Sequence, residues 1–151
     1  MIDMPKTNAD VTPTQCADAM LNQDACSKMM GMELVSTDRG RAVVKMQIRK
    51  DMVNGHNTTH GGMIFTLADT AFAVACNSYN LPNVAEFCTI NFMNPAFLGD
   101  VLTASAKQIH QQGRNGLYDI ALVNQDGLKI AEFRGKCRQI KGQHVPTLDQ
   151  I

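Results

Sequence analysis

Two glycines and one aspartate near the middle of the chain have the residue types and spacing that acyl-transfer chemistry requires. Gly61 and Gly62 follow His60 and begin a long apolar segment that contains Asp69. If this segment is a helix, its first amide groups have no acceptor inside the helix and lie at the positive end of the helix dipole. Amides placed there can stabilise a carbonyl oxygen that becomes an oxyanion. The alternative, which the glycine pair taken alone favours, is that the glycines only allow close packing against a strand.

Asp69 is the second chemical feature, because apolar residues such as Leu67 and Phe72 surround it in the sequence. Burial among such residues would remove water from the carboxylate and raise its pKa. A raised pKa would make Asp69 a better base near neutral pH. The alternative is a charge on the solvent side of the helix, or one that hydrogen-bonds Thr66 or Thr70.

The spacing of these residues predicts a site shared by two subunits. Gly61 and Asp69 are eight residues apart, which is about 12 Å along a helix axis. A reacting carbonyl needs its donor within about 3 Å and the base close enough to deliver water. One helix does not easily supply both groups, whereas two antiparallel helices related by a two-fold axis can.

No metal and no cofactor are expected. His56 and His60 have i, i+4 spacing, but they precede the predicted helix, lack the glutamate of the H-E-x-x-H motif and have no obvious third ligand. The G-x-S-x-G motif of serine hydrolases does not occur. Cys76, among alanines, is typical of a packed and inert thiol. We therefore assign His60 to orienting the loop or contacting the substrate.

Composition narrows the class of protein further. The 151 residues are 44% apolar and 19% charged, with 14 basic and 14 acidic side chains, and this balance does not favour nucleic acid or an anionic membrane as the partner. The five cysteines are scattered and odd in number, which favours a reducing compartment over a disulfide framework. The N-terminal residues lack the apolar stretch of a signal peptide. We expect a soluble, cytoplasmic protein.

The pattern of apolar residues predicts an α+β fold. Period-two alternation indicates antiparallel strands, and a segment that is apolar nearly all round indicates a buried central helix, capped by Thr58 or Thr59, that needs cover beyond one sheet face. The predicted elements are a helix over 14–30, strands over 33–36 and 41–49, a loop over 50–60, a helix over 61–79, and strands over 84–92, 101–109, 117–123 and 130–140. We expect a flexible lead-in over 1–13, one domain over 14–142 and a frayed tail over 143–151.

The combined motif resembles a known family. N-G-H-x-x-x-H-G-G over 54–62, followed by L-A-D-T-A-F over 67–72, is similar to the hotdog thioesterases of the phenylacetic acid degradation group. The resemblance runs from about residue 24 to residue 142 and includes the strand A-E-F-R-G-K at 131–136. It implies a hotdog fold, in which an antiparallel sheet wraps one long central helix. It also implies a dimer of dimers that hydrolyses acyl-CoA to free acid and CoA, with aryl-acetyl groups as the substrate class.

The resemblance also implies roles for single residues. Asp69 matches the catalytic carboxylate, the Gly61 amide matches the group that polarises the thioester carbonyl, and Asn54 and His60 match residues that line the reacting centre. Where a sister branch of the family often has Thr or Ser one turn after its acid, this chain has Ala73. The predicted substrate-binding residues are Gly62, Thr70, Phe92, Asn94, Pro95, Arg114 and Arg138.

Basic side chains should meet the phosphates of CoA, and the candidates are Arg114, Arg134, Lys136 and Arg138, although solvation of the surface explains each of them equally well. Asp69 acts either as a general base on water or as a nucleophile that forms a mixed anhydride. Two rival functions stay open, a hotdog hydratase or dehydratase and a non-catalytic acyl-CoA-binding protein.

Overall fold

A computed structural model describes residues 7–150 of the chain, without the side chain of the last of these. Two short helices come first, α1 (Pro13–Leu21) and α2 (Ala25–Met29), and the long helix α3 (Gly61–Cys76) lies in the middle. The six strands are β1 (Glu33–Asp38), β2 (Arg41–Gln47), β3 (Asn83–Phe92), β4 (Val101–Gln112), β5 (Asn115–Val123) and β6 (Lys129–Gln139). Short 3₁₀ turns occupy Asn8–Asp10, Lys50–Met52 and Leu148–Gln150.

The six strands form one sheet in the order β1-β2-β4-β5-β6-β3, with every neighbouring pair antiparallel. Alternate residues of β2, β4, β5 and β6 are buried, and they form the core together with α3. Gly135 of β6 lets the helix come close, because a Cβ at that position would lie 2.6 Å from the ring of Phe72. This is the hotdog arrangement, so the predicted fold is confirmed.

The central helix α3 is buried on most of its circumference. Nine of its 16 residues are buried. The residues that keep some exposure include a stripe at helical spacing, formed by Gly62, Thr66, Asp69 and Ala73. The sheet therefore covers most of α3 and leaves the stripe that carries Asp69 uncovered within one subunit.

The N-terminal helical segment differs from the prediction of one helix over 14–30. Thr12 begins α1 through a capping box with Gln15, whose amide donates to the Thr12 hydroxyl over 3.2 Å. The helix ends at Leu21, and Asp24 then caps α2 by accepting from the amide of Ser27 over 3.1 Å. Since an aspartate side chain at an N-cap satisfies the first amides of a new helix, the segment divides there.

The end of α3 also differs from the prediction, which placed it at residue 79. The helix ends at Cys76, and the side chain of Asn77 turns to the following loop, where its Oδ1 accepts from the amide of Asn83 over 2.7 Å. His144 Nε2 lies 2.7 Å from the same oxygen. These side-chain contacts hold Asn77 outside the helix.

Both ends of the chain carry more contacts than the predicted lead-in and frayed tail imply. Val11 is fully buried, and the guanidinium of Arg39 donates to its carbonyl over 2.8 Å. In the tail, Thr147 is fully buried, and the amides of His144 and Val145 donate to Asn80 Oδ1 over 3.1 and 2.9 Å. Val11 is therefore tied to Arg39 in the β1–β2 turn, and residues 144–145 are tied to Asn80 after α3. Residues 1–6 lie outside the described part of the chain.

In the part of the chain that the structure describes, helices long and apolar enough to cross a membrane are absent. All five cysteines are free thiols. The expected cytoplasmic location stays a prediction from cysteine usage.

Asn80 should be one of the most sensitive positions for stability. Asn80 is fully buried with a φ of 59°, and its side-chain Nδ2 also donates to Val145 O over 2.8 Å and to Asn8 Oδ1 over 3.1 Å. We expect Asn80→Ala to lower the free energy of unfolding in urea by about 3 kcal/mol or more, because it loses these hydrogen bonds and strains the backbone. Asn57, exposed with the same φ of 59°, is the matched control, and Asn57→Ala should cost only about 1 kcal/mol. Equal losses in the two variants would show that the hydrogen bonds at Asn80 contribute nothing.

Candidate active site

The loop before α3 is held by the side chain of Asn54. Its Oδ1 accepts from the amides of His56 and Thr58 over 2.9 and 3.2 Å, and its Nδ2 donates to the Thr58 hydroxyl over 3.0 Å. At the base of the loop, the amide of Thr59 donates to Ala96 O over 2.7 Å. Asn54 therefore shapes the loop that leads to Gly61.

His60 is the N-cap of α3, in place of the predicted Thr58 or Thr59. Its amide donates to Met52 O over 2.8 Å, and its ring Nδ1 accepts from the amide of Gly62 over 2.9 Å. Because Nδ1 accepts, the neutral ring carries its proton on Nε2.

The amide of Gly61 has no hydrogen-bond acceptor among residues 7–150. The ring of His60 serves Gly62, and the helix itself begins to accept only from the amide of Met63, which donates to His60 O over 2.9 Å. A free donor therefore remains at the positive end of α3, where a developing oxyanion would be stabilised.

A cleft of about 320 Å³ lies beside Gly61. The ring of Phe92, 53% exposed, forms one wall and would lie 3.1 Å from a Cβ placed on Gly61. The side-chain Nδ2 of Asn94, which also lines the cleft, donates to Lys129 O over 2.8 Å. The residues that line the cleft are Thr58, Thr59, Gly61, Ile64, Phe92, Met93, Asn94, Pro95 and Ala96.

Asp69 is half-buried on the uncovered stripe of α3. Burial raises the pKa of its carboxyl, and the negative charge of Asp24 raises that pKa further. Among the described residues, hydrogen-bond donors to its oxygens are absent. The charge of Asp69 also affects Cys88 on β3. Burial is the main cause that raises the pKa of the Cys88 thiol, and the negative charge of Asp69 raises it further. Asp69 is therefore a carboxylate with reduced solvation that faces the open edge of the sheet.

The remaining predicted residues lie away from the cleft. The hydroxyl of Thr70 donates to Thr66 O over 2.9 Å inside the helix, so it is occupied within the subunit. Arg114 lies in the β4–β5 turn and Arg138 near the end of β6, at the far end of the sheet from Phe92. Of the predicted site residues, the fold brings Asn54, His60, Gly61, Gly62, Phe92, Asn94 and Pro95 to one end of α3 and leaves Asp69, Thr70, Arg114 and Arg138 elsewhere.

Two of the four basic candidates are neutralised by neighbouring carboxylates. Arg134 forms a bidentate salt bridge with Asp119, in which Nε and Nη2 lie 2.6 and 2.9 Å from the two carboxylate oxygens. Lys136 Nζ lies 2.7 Å from a carboxylate oxygen of Glu86. Arg114 and Arg138 form no ion pair within the described residues.

Within residues 7–150, groups of three or more His, Cys, Asp or Glu side chains placed to hold a metal ion are absent. The expectation of no metal and no cofactor stays a prediction.

Two residues of this region were not predicted from the sequence to act in the site. The sequence pattern predicts Thr59 only as a helix cap, whereas in the structure it lines the cleft. The sequence pattern gives no role in the site to Asp24, yet its charge raises the pKa of Asp69 in the folded chain. The sequence indicates that Asp24, which precedes A-C-S-K-M, is a helix cap. Nothing in the sequence indicates that it influences Asp69.

The chain belongs to the Thioesterase superfamily, whose profile matches residues 56–131. It is 52% identical over 128 residues to the acyl-coenzyme A thioesterase PaaI of Escherichia coli, covering 85% of this chain and 91% of that protein. The solved structure of the E. coli PaaI protein of the phenylacetic acid degradation operon matches with a TM-score of 0.86 at 50% identity, covering 87% and 95% of the two chains. A Streptococcus pneumoniae hypothetical thioesterase solved with coenzyme A matches with a TM-score of 0.70 at 27% identity, covering 74% and 90%. The chain is therefore a hotdog thioesterase.

The effect of the Asp24 charge on the pKa of Asp69 can be tested by titration. We expect Asp24→Asn to lower the pKa of Asp69, because it removes a nearby negative charge, yet to leave that pKa above its ordinary value, because burial is the larger cause. Asparagine also caps helices well, so α2 should keep its start. The measurement is an NMR pH titration of the Asp69 carboxyl carbon, with Asp126→Asn in the β5–β6 turn as the control. An Asp69 pKa that Asp24→Asn leaves in place would show that the two carboxylates do not interact.

Proposed function

We propose that the protein hydrolyses acyl-CoA thioesters to free acid and CoA, with aryl-acetyl groups such as phenylacetyl or its hydroxylated forms as the acyl class. The observation that carries the proposal is the free amide of Gly61 beside an open cleft, on the same helix as a carboxylate with a raised pKa. The similarity to an acyl-coenzyme A thioesterase over 91% of that protein's length supports the substrate class.

The reaction begins when the thioester oxygen accepts a hydrogen bond from the Gly61 amide. This contact polarises the carbonyl and strengthens as negative charge develops on the oxygen. Asp69 then takes a proton from water, which attacks the carbonyl carbon to give a tetrahedral intermediate, and the CoA thiolate leaves. Direct attack by Asp69 would instead form a mixed anhydride. Incorporation of oxygen-18 into Asp69 during a single turnover distinguishes the two routes.

The proposed site combines Gly61 of one subunit with Asp69 of the other. The two residues are about 12 Å apart along the same helix, so one subunit does not bring them to one carbonyl. The open edge of the sheet supports a partner there. The ten-residue strand β3 is the last strand on that side of the sheet formed by residues 7–150, and Phe87 is 66% exposed. Long apolar edges of this kind are normally covered in native proteins. We therefore propose a homodimer in which two antiparallel copies of α3 face each other, assembled further as a dimer of dimers.

The same assembly gives a role to the two unpaired arginines. Along β6, Ala131 pairs with Phe92 and Arg138 pairs with Val84, so about 23 Å of strand separates Arg138 from the cleft of its own subunit. Antiparallel contact between two β3 edges would bring the Val84 end of one subunit toward the Phe92 end of the other. Arg114 and Arg138 of the partner subunit would then meet the phosphates of CoA.

Asp69→Asn tests the proposed base. We expect turnover of phenylacetyl-CoA to fall by about a hundredfold or more, because asparagine does not accept the proton from water. The assay is thiol release, which also separates hydrolysis from acyl-CoA binding without turnover and from dehydration. Unchanged turnover in a folded variant would remove Asp69 from the mechanism.

The same variant should be at least as stable as the wild type at pH 7. The pKa of Asp69 is raised in the folded chain, so its stabilising contribution belongs to the protonated form and is lost as pH rises through the folded pKa. At neutral pH the ionised, poorly solvated carboxylate costs stability, and asparagine removes that cost. Urea unfolding at pH 7 checks this, and it ensures that lost activity is not lost folding.

Gly61→Pro tests the proposed donor, because proline has no amide hydrogen and is well tolerated at the first position of a helix. The preceding His60 has a φ of −60° and a ψ of 130°, which suits a residue before proline. We expect a loss of about 10²–10³ in kcat, the usual cost of one oxyanion donor. Gly61→Ala keeps the amide and is the matched control; equal losses in the two variants would exclude the donor role.

Mixing the two inactive variants tests whether the site is shared. A mixed dimer of Gly61→Pro and Asp69→Asn subunits has one site with both groups intact, so about half of the wild-type activity per mixed dimer should return. Tagged subunits verify exchange. Full exchange without recovery would show that each site lies within one subunit.

A further inference from the structure

Thr59 has a buried hydroxyl without a hydrogen-bond partner. The residue is 5% exposed, and within the described part of the chain only its Oγ1 and the Oδ1 of Asn115 are buried side-chain oxygens that lack a partner. A buried hydroxyl in that state is unfavourable, since it has given up water and gained nothing in exchange. A buried oxygen without a partner in a folded protein calls for an explanation, and a ligand is one source of the missing partner. Thr59 is one of the residues that line the cleft beside Gly61.

The backbone holds Thr59 firmly in this place. Its amide donates to Ala96 O over 2.7 Å, and it forms a β-bridge with Val53. The next residue, His60, is fixed through its amide to Met52 O over 2.8 Å. Because the backbone is fixed, rotation about the Cα–Cβ bond is the movement that turns the buried hydroxyl of Thr59 toward a ligand in the cleft.

The neighbouring polar side chains of the cleft are already occupied. Thr58 is bonded to Asn54, and the Asn94 amide donates to Lys129 O. Gly61, with its free amide, and Thr59, with its buried and unpartnered hydroxyl, both line this cleft and lie two residues apart in the chain. The other side chains that line it include the apolar Ile64, Phe92 and Met93.

We propose that Thr59 is a further substrate-binding residue, whose hydroxyl donates a hydrogen bond to a carbonyl oxygen of the bound acyl-pantetheine. The inference rests on the proposed thioesterase function and deepens it. The acceptor is either the thioester carbonyl, as a second donor beside Gly61, or an amide carbonyl of the pantetheine arm. Both are carbonyl oxygens, and kinetics separates them.

The test compares Thr59→Val with Thr59→Ser in the full-length protein, with phenylacetyl-CoA as the probe. Valine has nearly the same shape but no hydroxyl, whereas serine keeps the hydroxyl. We expect Thr59→Val to lower kcat/KM roughly tenfold, the scale of one hydrogen bond to a ligand, and Thr59→Ser to retain most of it. A loss in kcat assigns the bond to the thioester carbonyl, and a rise in KM at constant kcat assigns it to the pantetheine arm.

Thermal unfolding gives a second readout that a merely structural hydroxyl would move in the opposite direction. Removal of an unpartnered buried hydroxyl should leave the Tm of Thr59→Val equal to or above that of the wild type. Binding of a non-hydrolysable thioether analogue of phenylacetyl-CoA, measured by calorimetry, should weaken in the same variant.

Two results would overturn the inference. Wild-type kcat and KM in Thr59→Val would show that the hydroxyl does not touch the substrate. A lower Tm in Thr59→Val than in Thr59→Ser would show that the hydroxyl has a structural partner such as an ordered water. Failure of the thioesterase function itself is distinct, since the wild-type protein would then release no thiol from any acyl-CoA.

Discussion

A single backbone amide without an acceptor is the feature on which the rest of the site depends. The amide of Gly61 stays free because His60 turns its ring back onto Gly62 and so serves the neighbouring donor. His60 can do this because its own amide is fixed to Met52 O, and because Asn54 shapes the preceding loop. The amides of residues 56–60 and 62–63 all have acceptors, and the amide of Gly61 between them has none. The loop therefore leaves one free donor for a ligand.

Helix length then ties the chemistry to assembly. A donor at the first residue of α3 and a base two turns later do not meet on a rigid helix, so the proposed mechanism needs a second copy of the same helix. The fold is consistent with that requirement, because the sheet covers most of α3 and ends at β3, which leaves the Asp69 stripe and an apolar edge beside each other. The pKa of Asp69 is already raised within one subunit, and further burial by a partner would act in the same direction.

The elements with strong periodic patterns were predictable from the sequence, and the elements defined by single polar side chains were not. Alternating strands and the apolar central helix follow from burial on one face or on all faces. The break before Asp24 depends on one capping side chain, whereas the helix end at Asn77 and the tied chain ends depend on hydrogen bonds between residues far apart in the chain. Neither kind of contact leaves a periodic signal. In the site, the motif placed Gly61, His60 and Asp69, whereas Thr59 and Asp24 gain their significance only from tertiary packing.

The contacts of Asn80 have a consequence for the design of rearranged chains. One side chain holds both Asn8 and Val145, so the two terminal segments are neighbours at the end of α3 opposite Gly61, about 24 Å from the cleft. A short linker between these segments, with new termini opened at the exposed turn around Asp126, would give a circular permutant whose cleft keeps all of its lining residues.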